Sequence, residues 1–202
     1  MNITDQRSFN LNRDQREEYI AGYSLMIRKN RFGRVPHYIN FMFNHVPGNR
    51  KTKMEFMKKQ VIRVHDILTR SIVRKPNSED WKPSRPILVG CPDLPVWKKE
   101  KKDKEPIRNL IVNDGLHFNA ICLTPPDKTF VREEGDCNWY AKSRLKMSLE
   151  RHFEQCQRFY QTEHLYRIHV TPITHRIDAV TEYTLKAFKN GYITADDILV
   201  MK

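Results

Sequence analysis

The sequence predicts an α+β fold in which one antiparallel sheet carries helices. Three observations predict it. Short runs alternate apolar and polar residues, as strands do; longer runs place apolar residues every three or four positions, as helices do; and they follow in the order strand, helix, strand, strand, helix, strand, helix. With 202 residues, 39% of them hydrophobic, the chain has enough apolar material for one ordinary domain with extensions and lacks the composition of a disordered one.

Residues 1–35 are polar and rich in Asn, Arg and Gln. They read as an arm or accessory element with a helix over 12–30, on the sparse apolar positions Ile20, Leu25 and Met26. Residues 37–44 (HYINFMFN) alternate, with Ile39, Phe41 and Phe43 on one side and Tyr38, Asn40 and Asn44 on the other. The turn Pro47-Gly48-Asn49 leads into a helix over 51–75, whose Met54, Met57, Val61, Val64, Leu68 and Ile72 form one stripe. Lys51, Lys53, Lys58, Lys59, Arg63 and Arg70 lie on its other sides, either as a solvated face or as DNA contacts.

Residues 76–106 are broken by Pro76, Pro83, Pro86, Pro92, Pro95 and Pro106 and include a charge run, KKEKKDK, at 98–104. They read as an insertion or long functional loop with a short strand at 87–90. Residues 107–112 (IRNLIV) and 116–123 (LHFNAICL) flank Asn113-Asp114-Gly115, a hairpin signal because glycine supplies the positive φ of the turn. A helix is expected over 138–160, with Leu145, Leu149, Phe153 and Cys156 on one side and Asp136 as its N-cap. Residues 164–171 (HLYRIHVT) alternate again, with Tyr166, Ile168 and Val170 on one face. The last clear helix covers 177–189 and stops at Gly191, and 195–202 hold a further short element. The β-α-β-β-α-β order is that of the ferredoxin-like split βαβ fold. It implies an antiparallel sheet with helices on one face and the other face free for a site, and it puts strands 37–44 and 116–123 side by side at the centre. The domain so defined spans 36–191, between the arm at 1–35 and a tail at 192–202.

Thirty-six Lys and Arg against 24 Asp and Glu give a net charge of +12 and a pI near 9.6. Such a field attracts polyanions, nucleic acid above all. No run approaches the ~18–20 apolar residues of a membrane span. The first 17 residues are polar and charged, so no membrane partner and no secretion signal are expected, and the location expected is cytoplasmic. Cys91, Cys122, Cys137 and Cys156 show no C-x-x-C spacing, which argues against a zinc ribbon and for reduced thiols.

Two places carry chemistry. On the strand 116–123, Leu116, Phe118, Ala120 and Cys122 share one face, so His117 and Asn119 project together from the other. A neutral imidazole is a common ligand of divalent transition metals, and a carboxamide oxygen suits Mg²⁺ or Mn²⁺. On the last helix, Tyr183 and Lys186 stand one turn apart, off the buried stripe of Ile177, Val180, Thr184 and Phe188. A phenol with an ammonium one turn away is equipped to attack a phosphodiester: one group is the nucleophile and the other offsets phosphate charge. Trp81, Trp97 and Trp139 are either base-stacking or packing residues.

The order of these motifs resembles the HUH endonuclease superfamily, in its single-tyrosine replication-initiator (Rep) branch of rolling-circle plasmids and small DNA viruses. The apolar strand motif resembles residues 38–43 (YINFMF), the His-hydrophobic-His motif resembles His117-Phe118-Asn119, and the Tyr-x-x-Lys motif resembles Tyr183-Thr184-Leu185-Lys186. Asn119 departs from the family's second His; some viral relatives carry Gln there. The resemblance implies a metal-dependent nuclease that nicks and rejoins single-stranded or hairpin DNA at the replication origin of a plasmid, phage or similar mobile element. Mg²⁺ or Mn²⁺ would sit on His117 and Asn119, Tyr183 would form a 5′-phosphotyrosine, and Lys186 would hold the phosphate. A third ligand, often acidic in the family, has Asp114, Glu182 and His169 as candidates. The chain has no G-x-x-x-x-G-K-[ST] loop, so a host helicase is an expected partner. The alternatives are a non-catalytic nucleic-acid-binding module of the same fold, for which Asn119 is the argument, and an RNA-binding RRM-like domain. The third strand lacks the paired aromatics of the latter.

Overall fold

A computed structural model describes residues 11–94, 115–127 and 143–202. The alternation in the first apolar run makes β1 (Val35–Phe43), with Ile39, Phe41 and Phe43 buried. Four further strands, β2 (Ile87–Asp93), β3 (His117–Thr124), β4 (Leu165–Pro172) and β5 (Leu199–Met201), complete an antiparallel sheet in the order β4-β1-β3-β2-β5. The molecule is α+β, with β1 and β3 adjacent as expected.

Ahead of this sheet, α1 (Arg13–Asn30) is started by an Asn12–Gln15 capping box. α2 (Arg50–Ile72) begins at Asn49, whose side chain accepts from the Thr52 N–H at 3.0 Å. All six stripe residues from Met54 to Ile72 are buried, in one core with the apolar sheet residues Ile39, Phe41, Phe118 and Ala120. Two of its basic residues are structural and do not form a solvated or DNA-facing row. Lys58 is buried between Glu55 at 3.0 Å and Asp197 at 2.9 Å, and Arg63 donates to the carbonyls of Phe159 and Tyr160. Lys51, Lys59 and Arg70 are exposed.

The structure corrects several expectations. Both edges of β3 are taken, by β1 along Met42–Val35 and by β2 along Asp93–Ile87, so residues 117–123 have no edge left to pair with 107–112. The second strand of the pattern is therefore β2, which lies inside the segment read as an insertion. Every residue of β2 is buried, which is why it reads as a continuous apolar run with no alternation. Residues 107–112, 98–104, Asp136, Trp97 and Trp139 lie outside the described residues; Trp81 is half-buried against the core. Of the helix expected over 138–160, residues 138–142 lie outside the described residues and 143–148 are not helical; α3 (Leu149–Gln155), capped by Ser148, and α4 (Gln157–Tyr160) follow.

Helices also lie on both faces of the sheet, not one. α5 (Ile177–Thr184) and α6 (Lys186–Lys189) cover the β2–β3 half of the face that carries His117 and Asn119. α1 packs on them and holds Asp178 of α5 through Ser24 and Arg28. The β1–β4 half stays open, and Arg167, His169 and Thr171 are exposed there. No helix among the described residues is long and apolar enough to cross a membrane.

Candidate active site

Register sets the site. Asn40 on β1 lies opposite Asn119 on β3, and His117 lies opposite Asp93 at the end of β2. Opposed residues point to the same face, so Tyr38, Asn40, Asn119, His117 and Asp93 converge where the open half of the sheet meets the covered half. α5 brings Tyr183 to this line, its ring edge-on to Tyr38 at 6.0 Å between centroids. The helix breaks at Leu185, yet Lys186 follows Tyr183 on the same side and sets its ammonium over the phenol ring, 4.5 Å from the centroid. Tyr183 is 51% exposed.

The residue that joins the two halves is Asp93, fully buried. Its Oδ2 receives Lys186 Nζ at 2.7 Å and the Asn119 Nδ2 donor at 2.8 Å and lies 3.0 Å from His117 Nε2, while its Oδ1 accepts the Leu94 N–H at 2.9 Å. Burial would raise the Asp93 carboxyl, but His117 and Lys186 together outweigh burial and hold it below the usual carboxylate range. Burial would likewise lower Lys186, and Asp93 raises it instead. Asn119 Oδ1 accepts from the Tyr38 hydroxyl at 2.6 Å and from Asn40 Nδ2 at 2.8 Å. Burial, only partly offset by Asn40, pushes the Tyr38 phenol up, so Tyr38 stays a donor.

Of the four residues singled out from sequence, Lys186, His117 and Asn119 therefore meet on one carboxylate, and Tyr183 joins them through Lys186. Among the described residues the acidic group at their centre is Asp93, which was not among the three candidates. Glu182 is exposed and paired with Lys189, His169 faces Asn40 from the far strand β4, and Asp114 lies outside the described residues. Asp93 follows Pro92 in a proline-broken segment, which hid it; the apolar run 87–91 leading to an acid was the available clue.

A divalent cation fits this donor set in one arrangement. His117 Nδ1 faces the Gly115 carbonyl at 3.1 Å, which turns Nε2 toward Asp93. His117 Nε2 and Asp93 Oδ2 therefore face each other across the site. Their 3.0 Å separation is that of neighbouring ligands around an octahedral ion with bonds of ~2.1 Å. As oriented, Asn119 presents its N–H to Asp93. A half turn of its carboxamide presents the oxygen, and the same turn at Asn40 gives Asn40 Oδ1, a buried acceptor without a partner, the Asn119 N–H. Lys186 must then leave Asp93. Among the described residues no three His, Cys, Asp or Glu converge, so a cation held by His117 and Asp93 would need Asn119 as its third protein ligand. Compared with known proteins, the chain matches no family model, no curated protein and no solved structure.

Proposed function

We propose that the protein nicks and rejoins single-stranded DNA through Tyr183, at the replication origin of a mobile element. The observation that carries this reading is the meeting of an exposed phenol, a neighbouring ammonium and a buried Asp93 paired with His117, at the border of an open sheet face that carries Arg167. Asp93, His117 and Asn119 would hold Mg²⁺ or Mn²⁺, which polarises the scissile phosphate when bound. The Tyr183 oxygen attacks phosphorus and the bond to the 3′-oxygen breaks. The phenol gives up its proton and the departing oxygen takes one, leaving a 5′-phosphotyrosine and a free 3′-OH. Lys186, released from Asp93, offsets phosphate charge. Attack by a 3′-OH on the phosphotyrosine reverses the step and joins strands.

A specific observation favours a second reading, a non-catalytic DNA-binding module. Lys186 already neutralises Asp93, and Asn119 Oδ1 already has two donors, so the cluster is complete without a cation. The two readings part in one assay: the protein with Mn²⁺ and labelled single-stranded and hairpin origin DNA, on a denaturing gel. The nuclease gives a covalent adduct that chelator and Tyr183→Phe both abolish. Tight binding with no adduct leaves the binding module.

A further inference from the structure

A cavity of about 420 Å³ opens beside Tyr183, between the β4 edge and the start of α5. Tyr38 and Tyr183 wall it, Ile173 and Val180 form its apolar lining, and His175 and Arg176 stand at its exposed rim. Arg176 is the one non-glycine residue with positive φ among the described residues, at 54°. That conformation is strained in an L-residue, because Cβ crowds the following carbonyl oxygen. Among the described residues, no hydrogen bond or ion pair engages its guanidinium.

Aromatic walls beside an unpaired cation are the pairing that single-stranded nucleic acid uses, with bases stacked on rings and phosphates on cations. We propose that this cavity seats a nucleobase next to the scissile phosphate, with Arg176 on the strand's backbone. The proposal rests on the nicking reading for the position of the phosphate. The occupant follows from continuity: Tyr183 belongs to both the cavity wall and the reacting cluster, so a strand placed for attack runs its neighbouring base along the cavity.

The test uses the full chain carrying Tyr183→Phe, which keeps the wall and removes the nucleophile. The probes are a short mixed-sequence single-stranded DNA with bromodeoxyuridine in place of thymidine, and an abasic strand of equal length. Ala179→Trp fills the cavity from an exposed position of α5. It is expected to weaken the base-bearing strand about tenfold and leave the abasic strand unchanged. Arg176→Gly is expected to weaken both strands while melting no lower than its parent, because glycine takes the left-handed conformation without strain. Photocrosslinks should fall within 171–183. Unchanged binding of the base-bearing strand by Ala179→Trp, or crosslinks wholly outside that segment, overturns the proposal. Absence of an adduct from the unsubstituted chain, with crosslinks still in the segment, overturns the nicking reading alone. A parent that binds neither strand overturns both.

Discussion

Asp93 is the residue on which the site turns, because it is fully buried and carries three of the cluster's contacts on one oxygen. Asp93→Asn leaves Lys186 facing a neutral amide. The expected loss is about 2 kcal/mol near neutral pH, discounted because Lys186 is a quarter exposed. The sign with pH follows from the depressed carboxyl. Its stabilising contribution is complete above the ordinary carboxylate range and fades as pH falls through the folded value. Denaturant unfolding of the two proteins should therefore differ most above about pH 4 and converge below it. Lys186 is the ion-pair partner of Asp93, and on the proposed nicking reading it would also be the phosphate partner, two roles that oppose each other. Lys186→Met should raise Mn²⁺ affinity about tenfold, equivalent to ~1.4 kcal/mol, while lowering adduct formation. Calorimetric titration with Mn²⁺ reads the first; unchanged affinity would mean that Lys186 does not compete with the metal.

Among the elements, β2 couples the core to the chemistry. A Cβ at Gly90 would lie 2.3 Å from the Asn119 carbonyl oxygen and 2.6 Å from Ala120 Cβ, so β2 approaches β3 this closely only with glycine there. Gly90→Ala should cost about 2–3 kcal/mol and displace Asp93 from His117, seen as a lower melting temperature together with weakened Mn²⁺ binding. β1, α2 and β4 were legible because each sets a buried face against a more exposed one and so leaves a period in the sequence. β2 is buried on both faces and leaves none, and the prolines around it mimic a loop. His117 and Asn119 were legible as polar residues on an apolar strand, and Tyr183 and Lys186 as neighbours one turn apart. Asp93 was not, because strand pairing, and no local spacing, brings it to His117 and Asn119.

At the scale of the whole molecule, a net charge of +12 meets a half-open sheet face that carries Arg167, with Arg176 beside the cluster. Binding of single-stranded DNA should weaken with salt. A strand touching about four phosphates gives a slope of about −3 in log K against log salt, measurable by fluorescence anisotropy; a flat response would mean that charge does not drive binding. Whether Tyr183 is a nucleophile served by Asp93, His117 and Asn119 is tested most directly by digesting the adduct formed with Mn²⁺ and origin DNA and locating the nucleotide by peptide mass. The expected result is a nucleotide 5′-phosphate on Tyr183 and a released strand whose 3′-OH a polymerase extends. A nucleotide on another residue, or an adduct that forms equally in Asp93→Asn, would contradict it.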